Sequence, residues 1–435
     1  MNPEPKAVTN FLIYFCFLRK GADVTLSFGK SGIVISLLAV VVLFVCNKDL
    51  VYGSSESKAH KAVAAEWEVP GVGDVSIEDI VAVQKYDRAI HVLAMLLVGF
   101  GFLMVFVKRY GYSAVTATYI LVSVAIPLYI FIKNRGYFGE PFEVYIDKLL
   151  FAEFSAASLL IAVGAALVRL KMRQHLILAF LFVPCYMLNE WILVDNGLGL
   201  IEKGKFIDTG GSILIHAFGA YFGMGVIVRM TTKEDFAKEI GSNKVSNQFS
   251  MLGSMVLWIF WPSFCSAIVE PQLVPFAAIN TIVSLCGATL ATYIFSVMFR
   301  RKIGIEDMAN AALAGGVAIG ATCAHASLKA AFIIGLMGGG LSVIGYTVIQ
   351  SRLQKILKGI DTCGVHNLHG MPGLFGGMMA LFVVNGISMG AQVKGILIAV
   401  VLAVVTGLAT GSILSVFGYR RDSYNDEEEF IVEEA

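Results

Sequence analysis

The sequence predicts an all-α polytopic membrane protein of about 12 transmembrane helices arranged as a five-plus-five inverted repeat. Three observations predict it. The 435 residues are 57% hydrophobic and 15% charged, with a mean hydropathy of +0.75, whereas a soluble domain carries about 25% charged residues. The charges gather between apolar runs of the length, about 20 residues, that a helix needs to cross ~30 Å of hydrocarbon. One motif also occurs twice, at 208–223 and at 361–376.

In order along the chain, the first six windows are Gly32 to Cys46, Ile90 to Val107, Tyr112 to Ile132, Leu150 to Val168, Leu176 to Val194 and Gly210 to Val228. The second six are Phe249 to Ile268, Val274 to Phe299, Ala309 to Ala324, Lys329 to Ile349, Leu368 to Val384 and Gly395 to Gly418. With both termini cytoplasmic, 21 of the 33 Lys and Arg residues fall in cytoplasmic segments, as the positive-inside rule requires. This divides the chain into a cytoplasmic N-terminal segment (1–30), a transmembrane domain (31–418) and an acidic cytoplasmic tail (419–435). The loop at about 47–87 is expected outside and contains no Asn-x-Ser/Thr acceptor. The apolar stretch Phe11 to Leu18 is too short to span and reads as interfacial. The tail, DSYNDEEEFIVEEA, is expected to be disordered and solvated, or else to dock a cytoplasmic partner.

Residues 208–223 read DTGGSILIHAFGAYFG and residues 361–376 read DTCGVHNLHGMPGLFG. Aligned without gaps they share Asp208/Asp361, Thr209/Thr362, Gly211/Gly364, His216/His369, Phe222/Phe375 and Gly223/Gly376. Five spans separate the copies, so they enter the membrane from opposite sides. The repeat units are then spans two to six and seven to eleven, and a pseudo-two-fold axis brings His216 and His369 together. An ionisable side chain facing lipid costs ~2.5–3.5 kcal/mol even on insertion scales, so both histidines face the bundle interior. Each lies eight residues past its aspartate, or about 12 Å if the interval is helical. That places the histidines deep in the membrane and the aspartates near its two faces.

Blander readings compete. Asp208 and Asp361 stand where a helix N-cap belongs, and capping explains them without transport. The glycine clusters at 315–320, 335–340 and 373–377 serve close helix packing, since no phosphate-binding loop is present. His366 fits a vestibule role or a packing role equally well. The seven cysteines lie singly and read as small buried hydrophobes. Net charge of +1 points to no nucleic-acid partner.

The segments GGSILIHAFGAYFG, WPSFCSA, NAALAGGVAIG and DTCGVHNLHGMPG, with VGFGFLM and KRYGYSAV before them, resemble the Rh branch of the Amt/Mep/Rh ammonium transporter superfamily. The resemblance covers roughly Gln84 to Gly418. It implies the ammonium-transporter fold, a homotrimer in the plasma membrane and one narrow pore per subunit. It makes His216 and His369 the paired pore histidines, and Phe154 and Phe264 a stacked gate at the outer mouth. It also implies that Glu190 and Asp208 serve an outer vestibule that recruits ammonium, with Asp361 the structural repeat mate. Cys265 departs from the pattern, because Rh proteins carry Asn after the gate phenylalanine.

The function that the resemblance implies is an ammonia/ammonium channel, with methylammonium as an analogue and CO2 as a second permeant. No cofactor or metal is expected, and no enzyme motif such as HExxH or GxSxG is present. Two other readings use the same histidines differently. A non-transporting Rh-like scaffold or ammonium sensor has no need of pore histidines, and a bis-histidine haem protein would show a Soret band.

Overall fold

The computed structural model describes residues 76–238, 241–420 and 425–431. Among these, eleven helices follow in order. They are α1 Ile77–Phe106, α2 Gly111–Asn134, α3 Tyr145–Ala166, α4 Met172–Val194, α5 Ser212–Met230, α6 Lys244–Cys265, α7 Pro271–Arg300, α8 (305–322), α9 Leu328–Leu357, α10 (366–383) and α11 Met389–Val416. Each matches one window from the sequence, while the window Gly32 to Cys46 and the segment 1–30 lie outside the described residues. Eight of the eleven are long and apolar enough to cross a membrane. Of the other three, α6 opens on the polar turn KVSNQ, and α8 and α10 are broken by 3-10 or π turns.

Burial separates a centre from a rim. The most apolar stretch of α3 is 89% buried and that of α5 83%, whereas those of α2 and α11 are 33% buried. The central helices are lean in bulk where they touch: a Cβ on Gly223 of α5 would lie 2.6 Å from the Ala162 carbonyl of α3. The equivalent Gly376 of α10 is pressed just as closely against the Ala318 carbonyl of α8. This pairing (α3 with α5, α8 with α10) is what two units, α1–α5 and α6–α10, predict. Contacts between α5 and α10 run His366 with Tyr221, His369 with His216, and Gly377 with Ile213. Position rises in one helix as it falls in the other, so the two motif copies are antiparallel.

The start of the first helix differs from the sequence reading. Helix α1 begins at Ile77, so residues 77–87 of the expected loop are helical. Ser76 and Asp79 form a capping box there, and Lys85 pairs with Asp147 of α3 at 2.7 Å. The polar residues that suggested a loop, Glu78, Asp79, Gln84, Lys85 and Asp87, are spread around the first turns of this helix.

The tail expectation fails over its described part. Residues 425–431 are docked, with a 3-10 turn at Asp426–Glu428. The Asp426 carboxylate accepts from the backbone N–H groups of Tyr112 (3.0 Å) and Ser113 (2.9 Å), and Glu429 accepts from Met172 N–H (2.9 Å). Helices α2 and α4 start on Gly111 and Met172, with Tyr110 and Lys171 as caps that accept no N–H on their own side chains. Their free N–H groups and positive dipole ends attract carboxylates, so an acidic composition here encodes docking and not solvation.

Candidate transport pathway

Each motif copy builds the same local device. Gly211 (φ +75°) and Gly364 (φ +69°) adopt the left-handed conformation that turns the chain into α5 and α10, and a side chain is disfavoured at both. Asp208 then reaches back over its turn and accepts from Ile213 N–H (3.0 Å) and Leu214 N–H (2.7 Å). Asp361 accepts from Val365 N–H (2.9 Å) and His366 N–H (3.0 Å). Both helices open with a π turn, Ser212–Ala217 and His366–Gly370, and each carries its histidine in that turn. The helix therefore starts after the aspartate, and from Ser212 to His216 the rise is only about 6 Å. The 12 Å expected for a helical interval is too long. Each aspartate caps the turn that carries its histidine, with Asp361 buried and Asp208 half-buried.

The two imidazoles meet. Nδ1 of His369 lies 3.2 Å from Nδ1 of His216, with the rings 11° from parallel and both nearly buried. Trp261 of α6 stacks on His216 (centroids 5.6 Å apart, 22°) and Phe100 of α1 lies nearly parallel to His369 (6.3 Å, 26°). The four rings form a ladder, Trp261–His216–His369–Phe100, with one outer ring from the first helix of each unit. Trp261 and Phe100 lie in motifs that carry the family resemblance, yet the sequence by itself assigns neither a role. One signal was available for Trp261: it precedes Phe264 by one helical turn, and residues at i and i+3 share a face.

On the Asp208 side of the ladder, Phe154 and Phe264 pack edge to face (5.0 Å, 63°) and are almost completely buried. They are expected as a stacked pair, but the perpendicular arrangement is what the aromatic quadrupole favours. Phe151 packs against Phe154 in turn, and Phe142 stacks on Phe151. Glu190 lies beyond, 3% exposed, where it accepts a 2.6 Å hydrogen bond from the Tyr129 hydroxyl. Among the described residues its second oxygen has no partner, and neither has the buried hydroxyl of Tyr186 on the same helix. Tyr129 and Tyr186 gave no signal in the sequence, because a tyrosine in an apolar span reads as core. Asp208 directs both oxygens to backbone N–H groups.

On the Asp361 side, an apolar cavity of about 20 Å³ adjoins His369, lined by Phe100, Phe106, Leu160, Cys363 and Val365 among others. That is room for one water-sized molecule. A more polar cavity of about 60 Å³, with Glu306, Asn310, Gln350 and Thr362 in its wall, follows it. His366 is half-buried on this side, with its ring edge-on to Tyr221 at 5.7 Å and its Nδ1 without a hydrogen-bond partner among the described residues. Among the described residues, no cluster of three or more His, Cys, Asp or Glu could hold a metal ion.

Paired buried histidines, with the motif that supplies them duplicated in inverted orientation, narrow the comparison with known proteins. The sequence profile of the Ammonium Transporter Family matches residues 80–430. The chain belongs to that family. It lies in the Rh branch: Ammonium transporter Rh type A of Mus musculus is 38% identical over 344 residues, covering 76% of each chain. Rh50 of Nitrosomonas europaea, solved as a member of the Rhesus protein family of channels, is 51% identical. It superposes with a TM-score of 0.80 over 82% of this chain and 94% of its own. Mep2 of Saccharomyces cerevisiae, at 14% identity, shares the fold with a TM-score of 0.62 over 81% of this chain and 93% of its own. The protein is thus a multi-pass membrane protein of the ammonium transporter family, and its Rh-type relatives are transporters.

Proposed function

We propose that the protein is an ammonia channel: ammonium gathers at the Glu190 side, loses a proton, and crosses as NH3 past His216 and His369. The observation that carries this reading is the 3.2 Å contact between the two imidazoles in an otherwise apolar passage. The Asp208 side faces out and both termini face the cytoplasm in the plasma membrane, as the distribution of Lys and Arg favours.

The physical difficulty is to admit a small nitrogen hydride and reject K+, which has nearly the radius of NH4+. An unpaired ion in an apolar passage costs many kcal/mol, and neutral NH3 avoids that cost. NH4+ can release a proton at the mouth and K+ cannot, so deprotonation discriminates where size does not. The negative field of Glu190 and Asp208 concentrates cations at the mouth. Glu190 is the better direct contact, since its second oxygen is unengaged. Phe154 and Phe264 then admit single small molecules.

The histidine contact constrains the chemistry further. An Nδ1···Nδ1 bond between neutral rings needs one Nδ1–H donor and one bare Nδ1. The donor ring then presents a bare Nε2 and the acceptor ring an Nε2–H. The pair offers one acceptor and one donor, which suits a molecule that can both give and take a hydrogen bond. His366 and the 20 Å³ cavity receive the molecule on the cytoplasmic side. CO2, also small and neutral, is compatible with the same passage as a second permeant, and the homotrimer of the resemblance would give three such passages. A detergent-corrected mass near that of one subunit would remove the trimer.

The test is ammonia flux into proteoliposomes, followed by internal pH with a simultaneous current record, for wild type, His216→Ala and His369→Ala. The expected result is fast alkalinisation without current, lost by about tenfold or more in either variant, the equivalent of one hydrogen bond of about 1.4 kcal/mol. Flux accompanied by current would mean that charge crosses as well. Folded wild-type protein that carries no flux above empty liposomes would leave the scaffold or sensor reading in its place.

A further inference from the structure

An unbroken column of rings runs from the histidines through the gate pair and past it. His216 neighbours Phe264 (centroids 5.9 Å apart), Phe264 packs on Phe154 (5.0 Å), Phe154 on Phe151 (5.9 Å) and Phe151 on Phe142 (4.5 Å, 22° from parallel). The first four of these rings stand on helices. Phe142 stands on the irregular connection 135–144 between α2 and α3, so something other than a helix must hold it in place.

The hold is a buried cation. Lys133, at the end of α2, is 3% exposed, and its ammonium lies 4.9 Å from the centroid of the Phe142 ring, within cation–π range. The same ammonium donates to the Phe138 carbonyl at 2.9 Å and pairs at 3.4 Å with Asp195, the residue that ends α4. Lys203, exposed, pairs with the other oxygen of Asp195 at 3.5 Å. The connection is drawn tightly around this group: Gly139 has φ +80°, and a Cβ there would lie 2.9 Å from the Asp195 carboxylate and 3.3 Å from the Lys133 nitrogen. Phe138 packs against Trp191 of α4 at 6.2 Å. A lysine that ends an apolar helix ordinarily snorkels to water. This one gives up its hydration, a cost that a carbonyl, a carboxylate and a ring face together offset.

We propose that Lys133 and Asp195 form a clamp that seats Phe142 against Phe151, and that through this column the clamp sets how large an amine the gate of Phe154 and Phe264 admits. Lys133 and Asp195 are positioning residues, and Phe142 is a third ring that determines specificity. The functional meaning rests on the ammonia-channel reading, whereas the clamp itself does not. The clamp acts by confinement. With Phe142 released, Phe151 has room to turn, and Phe154 loses the backing that fixes its ring against Phe264.

The experiment measures entry of ethylamine and of ammonia into proteoliposomes of the full chain by internal alkalinisation, each corrected for empty liposomes. The ratio of the two rates is the readout. Lys133→Met keeps the length of the side chain without its ammonium, and is expected to raise the ethylamine-to-ammonia ratio about fivefold, the scale of one desolvated cation–π contact. Lys133→Arg keeps a cation that binds ring faces, and is expected to hold the ratio within about twofold of wild type. Phe142→Leu is expected to raise the ratio as far as Lys133→Met does, and the double variant no further, since both break one link. Folded variants with the wild-type ratio, or single effects that multiply in the double variant, would overturn the proposal. Should Lys133→Met fail to fold, Phe142→Leu on the connection decides alone, and an unchanged ratio there overturns it.

Lys133 also stands within electrostatic range of Glu190. Action through that charge alone would lower the half-saturating ammonium concentration in Lys133→Met and leave the amine ratio untouched, which counts against the clamp. The failure of the channel reading looks different. Wild type that carries neither amine removes the channel, and thermal unfolding then decides the clamp: non-additive losses in Lys133→Met and Phe142→Leu uphold it, and additive losses remove it. Flux with an unchanged ratio in the variants keeps the channel and removes the clamp.

Discussion

The two copies of the motif are alike in backbone and unlike in surroundings. Each has an aspartate folded over a left-handed glycine, a π turn and a histidine, and each packs its helix on the third helix of its own unit. Yet His216 lies under Trp261 and an aromatic plug, while His369 lies against Phe100 and a cavity. The symmetry fixes where the imidazoles sit. The departures from symmetry put packed rings beside one imidazole and a small cavity beside the other.

The largest expected effect tests the shared part of the device. Alanine at either turn glycine takes on a left-handed backbone, at about 1–2 kcal/mol. At Gly364 the new Cβ would also press into the ring of Tyr346, whose hydroxyl is held by the Cys363 and Gly364 carbonyls. At Gly211 the close neighbour is Ile215, a flexible side chain one turn on. Gly364→Ala is therefore expected to destabilise by roughly 2–4 kcal/mol and Gly211→Ala by about half as much. Thermal unfolding of the detergent-solubilised protein measures both. Equal losses would mean that the left-handed turn alone sets the cost.

Next in size is the ring ladder. Replacing Trp261 by Leu removes the stack on His216, worth about 0.5–1.5 kcal/mol beyond the lost area, and leaves a cavity in a packed region. Phe100→Leu acts beside space that is already open. We expect ammonia flux to fall several-fold in Trp261→Leu and less than twofold in Phe100→Leu, in proteoliposomes of matched protein content. The reverse order would place the controlling side of the histidine pair at His369.

The kind of interaction involved decides how much of this was legible in the sequence. Eleven helices and the inverted repeat were legible, because hydropathy and a twice-written motif are local properties of the string. The meeting of His216 and His369 was legible for the same reason, since symmetry converts a repeat into a contact. The start of α1 at Ile77 was not, because a helix that leaves the apolar layer loses the pattern that reveals it. The docked tail was misread because composition counts charges and ignores targets. Asp426 and Glu429 find theirs on helix ends more than 250 residues away in the chain. Trp261 and Phe100 were hidden in plain view: an aromatic residue in an apolar span becomes informative only when its partner ring is known.

The smallest expected effect separates the two aspartates. At Asp208 the Oδ2 oxygen accepts from Ile213 (3.0 Å) and Leu214 (2.7 Å) N–H groups, and Oδ1 adds a longer contact to the same Ile213 N–H at 3.1 Å. Asparagine can place its one carbonyl oxygen at the Oδ2 position and give up only the shared Oδ1 contact. At Asp361 the two N–H groups are divided, Val365 on Oδ1 and His366 on Oδ2. Asparagine must turn its NH2 towards one of them and give up that bond. Asp361→Asn should therefore cost about 1 kcal/mol more stability than Asp208→Asn, the scale of one hydrogen bond. Asp208→Asn then becomes a probe of charge, because each N–H group keeps an acceptor and the carboxylate is gone. If that charge helps gather ammonium, the half-saturating concentration rises while maximal flux holds. If the aspartate serves only its helix, neither changes, and recruitment passes to Glu190 alone.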